Sequence, residues 1–301
     1  MQFNSLVFPK CKSSLPLSQL FGKMIFVPRD RSEWGLTAPF VSSSSITMLY
    51  KMPPEQFAKY GSYKGSCIPC LYIPCSRPTS KILVYFHGNA EDVCSSVSWL
   101  TNLAKYLHIH VLAMEYKGYG LYSGSPSAKA VLEDADTIYK YLNTGLRFST
   151  DDIILFGRSI GSGPACYLAS KYNPNSLVLM SAFTSIRAVA KEYVGSLLQY
   201  LVADRFNNKE CLSKVKCPVL MLHGKSDNIV PCVHSVEMSK LVKGYCKLHI
   251  SEAMGHNSMD FIEDVLKPLR LFHTEIKLST KPAGSQEGLL AFPLKAFNKP
   301  K

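Results

Sequence analysis

Asp152-Ile153-Ile154-Leu155-Phe156-Gly157-Arg158-Ser159-Ile160-Gly161-Ser162-Gly163-Pro164-Ala165 decides how the rest of the 301-residue chain is read. The unbroken apolar run from Ile153 to Phe156 is short enough for a buried strand. The periodic segment carrying Ala165, Cys166, Leu168 and Ala169 reads as a helix. Between them lies a Gly-x-Ser-x-Gly elbow centred on Ser159. A turn that sharp holds the serine in strained backbone while neighbouring chain passes close by, and glycine at 157 and 161 avoids a Cβ clash. The Ser159 hydroxyl then stands above the sheet edge. The Ile160 amide, at a helix N-terminus, can face a developing oxyanion. The pattern alone also arises in ordinary tight turns, so its weight depends on whether the chain supplies an acid and a histidine in the right order.

Outward from the elbow, strands and helices alternate. Ile82–Phe86, His110–Met114, Ser176–Met180, Val219–Leu222 and Lys247–Ile250 read as strands. Helices are expected at about Val93–Tyr106, Ala128–Leu142, Thr184–Val202, Cys232–Leu241 and Met259–Phe272. Met24–Val27, closed by Pro28, reads as a first strand. Ile46–Tyr50 and Cys67–Ile73 read as an antiparallel pair with Gly61 and Gly65 in the turn. This rhythm predicts an α/β fold with a mostly parallel, doubly wound sheet of about eight strands and helices on both faces. No insertion between Met180 and Val219 is long enough for a large cap domain. The expected organisation is an irregular segment over 1–23, one α/β domain over 24–274 and a basic, disordered tail over 275–301.

Right-handed crossovers put the loops after parallel strands along one edge, where active sites form. The loop after Val219–Leu222 carries Asp227, and the loop after Lys247–Ile250 carries His256. With Ser159 they give the order Ser, Asp, His. In that constellation His256 takes the Ser159 proton and later returns it to the leaving group, while Asp227 fixes the imidazole tautomer. Taken singly, Asp227 also suits an Asx turn and His256 a satisfied loop histidine. His87, His223 and His249 are weaker base candidates, two in His-Gly turns at strand ends and one inside a strand. Ile160 and Asn89 are expected to supply the two oxyanion-hole amides, Asn89 from the loop His87-Gly88-Asn89-Ala90-Glu91-Asp92. Glu91 and Asp92 read as acidic residues at the positive end of the following helix.

Composition narrows the remaining classes. The chain is 47% hydrophobic with a formal net charge of +12, but its basic residues form no stripe or nucleic-acid module, so no nucleic-acid partner is expected. The basic surface, with Leu15, Leu17, Leu20 and Phe21 beside Lys12 and Lys23, raises peripheral contact with anionic membrane. No apolar run reaches the ~18 residues of a membrane span, and no signal-peptide core forms near the start. The Met-Gln start lacks the glycine needed for myristoylation. The ten cysteines are scattered and read as reduced thiols of a cytoplasmic protein. Cys67-Ile68-Pro69-Cys70 is a CxxC without a second pair, in an extended stretch, and no metal or cofactor is expected.

Together these stretches resemble the α/β-hydrolase superfamily. More narrowly, the chain resembles the group that includes the alpha/beta-hydrolase domain-containing protein 17 depalmitoylases. The matching segments are His87-Gly88-Asn89-Ala90-Glu91-Asp92, Glu115-Tyr116-Lys117-Gly118-Tyr119-Gly120 with Ser123-Gly124 and Pro126, Gly157 to Pro164, Cys217-Pro218-Val219-Leu220 leading to His223-Gly224 and Asp227, and Gly255-His256-Asn257. The group's lipidated N-terminal cysteine cluster is represented here by Cys11 alone, the tail after Glu275 has no counterpart, and Glu115 stands where the group usually has Asp. The resemblance implies a serine hydrolase of acyl thioesters or esters, with palmitoyl-cysteine on proteins as the leading substrate. The expected partners are an acylated protein or lipid, and the expected state is a monomer. The alternatives are a lipid or small-ester hydrolase, and a catalytically silent binding protein on the same fold.

Overall fold

The computed structural model describes residues 11–12, 24–31, 67–120, 122–198 and 203–278. In chain order the main elements are β1 (Cys11–Lys12), β2 (Met24–Pro28), β3 (Cys67–Ile73), β4 (Ile82–Phe86), α1 (Val97–Leu107), β5 (His110–Met114), β6 (Tyr119–Gly120), α2 (Ala128–Lys140) and β7 (Ile153–Arg158). They continue with α3 (Ser162–Tyr172), β8 (Ser176–Met180), α4 (Ile186–Leu198), α5 (Asn208–Leu212), β9 (Val219–Gly224), α6 (Val233–Ser239), β10 (Cys246–Ser251) and α7 (Lys267–Glu275).

One eight-stranded sheet runs in the order β10-β9-β8-β7-β4-β5-β3-β2. From β10 to β5 every neighbouring pair is parallel, while β3 joins β5, and β2 joins β3, antiparallel. Alternate residues of each strand enter opposite layers. Val84, Phe86, Leu155 and Leu179 pack with Val131, Ala135 and Ile138 of α2 and Ala165 and Leu168 of α3. Leu83, Tyr85, Ile154 and Phe156 pack on the other face with Leu100 and Leu103 of α1 and Leu269 and Phe272 of α7. The expected doubly wound α/β architecture is the observed one. The central strands read as continuous apolar runs because both faces are covered. Each fully buried aliphatic or aromatic side chain contributes about 1.5–3 kcal/mol to that arrangement.

Several boundaries differ from the expectation. Val93 and Cys94 are buried, but the chain there forms turns and α1 starts only at Val97. Burial and helical hydrogen bonding part company over those residues, and hydrophobic periodicity senses only the first. The helical patterns at Ala128–Leu142 and Met259–Phe272 each contain a π segment, Tyr141–Gly145 and Phe261–Leu266. The antiparallel partners of β3 are β2 and β5; Ile46–Tyr50, expected to pair with it, lies outside the described residues. So do the apolar residues of the N-terminal segment and positions 279–301. Within the segment expected to be irregular, Cys11–Lys12 lies as a short parallel strand on Tyr119–Gly120.

Cys67 and Cys70 sit an odd number of residues apart on β3, so they enter opposite layers of the core, both fully buried. That CxxC spacing brings no two thiols together. No helix among the described residues is long and apolar enough to cross a membrane.

The feature that positions the elbow is its contact with β4. β7 pairs with β4 so that Gly157 lies beside Phe86. A Cβ on Gly161 would stand 2.1 Å from the Phe86 carbonyl oxygen, and one on Gly157 2.4 Å from the Gly161 carbonyl oxygen. Because backbone must yield in either case, Gly161→Ala is expected to lower unfolding stability by about 3 kcal/mol. Urea denaturation beside the wild type checks this, and an unchanged midpoint would contradict the packing argument.

Candidate active site

Four loops at the carboxyl edge of the parallel strands converge. Ser159 follows β7 directly with φ +50°, a conformation that non-glycine residues adopt only where the surroundings enforce it. Asp227 follows β9, His256 follows β10, and His87–Asp92 follows β4. The structure brings Ser159, Asp227 and His256 together: His256 Nε2 lies 3.0 Å from Ser159 Oγ, and His256 Nδ1 2.8 Å from Asp227 Oδ2. A carboxylate only accepts, so Nδ1 carries the proton and the Nε2 lone pair faces the serine hydroxyl.

Asp227 is fully buried at its side chain. Its Oδ1 accepts from the amides of Ile229 (3.0 Å) and Val230 (2.8 Å). Burial alone would raise its pKa, but hydrogen bonds from His223 and His256, with the Val230 amide, outweigh that and hold the carboxyl well below its ordinary value. His223 was weighed in the sequence only as a weak base. Its Nε2 donates to the Val230 carbonyl (2.8 Å) and lies 3.4 Å from Asp227 Oδ2, while Nδ1 meets Ser235 Oγ at 2.6 Å. Both nitrogens are engaged, and its place is behind the carboxylate. The signal in the sequence was its position four residues before Asp227 at a strand end.

The other histidines lie apart from the serine. His87 is buried, with Nδ1 donating to the Gly88 carbonyl (2.9 Å) and Nε2 on Glu115 Oε1 (3.0 Å). Tyr116 stacks on its ring at 3.9 Å and donates its hydroxyl to the His87 carbonyl. His249 lies within β10. Burial pushes the Cys217 thiol up to about 12 and Cys246 up to about 11, and holds Cys70 and Cys166 well above the ordinary thiol value, which makes these four poor nucleophiles.

In the loop after β4, Asn89 is exposed and its side-chain oxygen accepts from the Tyr119 hydroxyl (2.8 Å). Ile160 opens the turn that leads into α3. Neither Asp92 nor Glu91 lies at the start of α1, which corrects the helix-dipole reading. Asp92 closes a turn onto the Ser95 amide (2.9 Å). Glu91 Oε2 accepts from the Gly88 amide (2.9 Å), and its Oε1 pairs with Arg158 Nη1. Arg158 Nη2 donates to the His256 carbonyl (2.6 Å) and to Asn257 Oδ1 (3.0 Å). Among the described residues no group of three or more His, Cys, Asp or Glu could hold a metal ion.

Residues 77–211 match the family model described as serine aminopeptidase, S33. The chain is similar to the alpha/beta hydrolase domain-containing protein 17C of Xenopus tropicalis, 29% identical over 71% of this chain and 68% of that protein. It is similar to the human 17B protein, 29% identical over 69% of this chain and 72% of the relative. Among solved structures, Est1E from Butyrivibrio proteoclasticus superposes with a TM-score of 0.57 at 19% identity, over 71% of this chain and 96% of that one. The acylaminoacyl peptidase of Pyrococcus horikoshii gives 0.55 at 13% identity over 74% of this chain. This chain spans 42% of that peptidase. At these identities the structural likeness is one of fold.

The depressed Asp227 carboxyl sets a pH dependence. Its stabilisation is fully present above the unfolded carboxylate value, about 3.9, and is lost as pH falls toward the lower folded value. The stability of the wild type relative to Asp227→Asn is therefore expected to shrink between pH 5 and pH 3, and denaturant unfolding at both pH values measures it. A difference that grows on acidification would contradict the assignment.

Proposed function

We propose, for a chain that belongs to the α/β-hydrolase superfamily and resembles its domain-containing protein 17 group, that it is a serine hydrolase cleaving acyl thioesters or esters. The observation that carries the reading is the unbroken line from Asp227 Oδ2 through His256 to Ser159 Oγ, at 2.8 and 3.0 Å.

In the proposed reaction Ser159 Oγ attacks the acyl carbonyl as His256 Nε2 takes its proton. The negative charge that develops on the carbonyl oxygen falls toward the amides of Ile160 and Asn89. Among the described residues the Asn89 N–H donates to no backbone carbonyl, as an oxyanion-hole amide would require. Collapse expels the thiol or alcohol, which leaves with the proton from His256. Water then attacks the acyl-serine, its proton passing to His256, and the acid leaves as Ser159 is reprotonated. Asp227, ionised throughout the neutral range, steadies the imidazolium at both steps.

The leading substrate is an acyl chain carried by a large partner, with palmitoyl-cysteine on proteins as the specific case. Between β8 and β9 the described residues carry α4 and α5 and no large cap, and Tyr193, Ile229 and Val233 are exposed apolar side chains, Ile229 two residues from Asp227. The Tyr193 hydroxyl donates to the Ile229 carbonyl (2.9 Å). Peripheral contact with anionic membrane, through the basic N-terminal segment of a cytoplasmic monomer, belongs to the same proposal.

Fluorophosphonate labelling of the wild type beside Ser159→Ala tests the nucleophile, and an acyl-chain-length series on matched thioesters and oxyesters tests the substrate class. Labelling is expected to vanish in Ser159→Ala, with kcat falling by roughly 10³-fold or more. Long-chain thioesters should be the better substrates. Preference for short oxyesters would move the reading to a small-ester hydrolase, and a folded wild type that never labels would favour a binding protein. Removing residues 1–22 should weaken sedimentation with anionic liposomes; unchanged sedimentation would sink the membrane contact.

A further inference from the structure

We propose that Arg158 and Glu91 form a positioning clamp that holds the oxyanion loop and the His256 loop in register with the nucleophile. The inference rests on the serine-hydrolase reading of Ser159.

The argument starts from the backbone. Arg158 is the last residue of β7, paired in register with Met180 of β8, so its Cα is as fixed as the sheet. The two loops it touches, His87–Asp92 and Met254–Asp260, contain no helix or strand and lie outside the sheet ladder. The first is held at one end, where His87 meets Glu115 and the Tyr116 hydroxyl, and the second by the Gly255 amide on the Ser258 carbonyl (2.8 Å) and His256 on Asp227. Proton transfer between Ser159 and His256, and charge stabilisation by the Asn89 amide, both depend on placement within about 1 Å.

A guanidinium is suited to that task because its donors lie in one plane and point in fixed directions. One nitrogen of Arg158 meets Glu91, whose second oxygen holds the Gly88 amide, the peptide next to Asn89. The other nitrogen holds the His256 carbonyl and the Asn257 side chain. The continuous path runs Gly88 amide, Glu91, Arg158, His256 carbonyl. It ties both loops to the residue before the nucleophile. The Arg158 side chain is 9% exposed, so water replaces these bonds poorly when one partner is removed. A lysine would carry the charge without the fork and could not hold both loops in one plane.

The experiment uses the full chain carrying Arg158→Lys, Arg158→Gln, Glu91→Gln and the double Arg158→Gln/Glu91→Gln. Steady-state kinetics on a p-nitrophenyl ester, thermal unfolding and hydrogen exchange are measured for each, beside wild type and Ser159→Ala. In every single variant kcat should fall roughly 10- to 100-fold with KM changed less than about twofold, since positioning is felt in the transition state. Arg158→Lys should not rescue, and the double variant should be no worse than the poorer single one, because the two groups act as a unit.

The decisive readout lies across the molecule: Glu91→Gln should speed amide exchange at 255–258 although Glu91 belongs to the other loop. Unchanged exchange there, additive losses of kcat, or full activity in Arg158→Lys would each overturn the clamp and leave a plain stabilising ion pair. Exchange also separates the two claims. A wild type that shows no Ser159-dependent turnover defeats the hydrolase reading, while loop coupling still decides whether Arg158 and Glu91 link the loops.

Discussion

Backbone meets backbone where the elbow presses on the end of β4, with no room for a side chain on Gly161 against the Phe86 carbonyl. That contact fixes the distance between two features that come from different parts of the chain. The turn at Ser159 and Ile160 belongs to β7 and α3, whereas the loop at Gly88 and Asn89 belongs to β4. Their separation is set by sheet pairing, and the left-handed backbone of Ser159 is held in place by the same packing. The strands beneath supply the rigidity, because their side chains are buried on both faces of the sheet.

Three histidines at this edge show how surroundings divide one residue type among tasks. His87 is sealed between Glu115, Tyr116 and the Gly88 carbonyl, and braces the turn below Asn89. His223 stands behind Asp227 with both nitrogens engaged. Of the three, His256 is the one whose second nitrogen meets the Ser159 hydroxyl, with its first on the Asp227 carboxylate. The distinction lies in which acceptors surround each ring, since a carbonyl or carboxylate fixes a proton on the nitrogen it meets.

Much of this was legible in the chain. The strands announce themselves as apolar runs, their alternation with helices implies the parallel sheet, and loop order alone puts Ser159, Asp227 and His256 on one edge. The resemblance of the quoted motifs points to the same superfamily as the comparisons do. What escaped reading depends on direction and distance. Glu91 and Arg158 are 67 residues apart and neither carries a periodic signal, so Glu91 read as a helix-end carboxylate. The seemingly paired Cys67 and Cys70 part company because a strand turns successive residues to opposite faces. The start of α1 was set too early because Val93 and Cys94 are buried like helix residues while their backbone is not yet helical.

The ion pair beside the elbow has a consequence for how such a sequence can drift. In a Gly-x-Ser-x-Gly turn the position before the serine is formally a wild card, since the turn itself makes no demand on that side chain. Here the wild card is taken. Exchanging Arg158 alone strands the Glu91 carboxylate beside a closed loop, and exchanging Glu91 alone strands a largely buried guanidinium. Each path away from the pair therefore begins with an intermediate less fit than either end. Selection would then treat codons 91 and 158 as one inherited unit, and recombination between them would join mismatched halves.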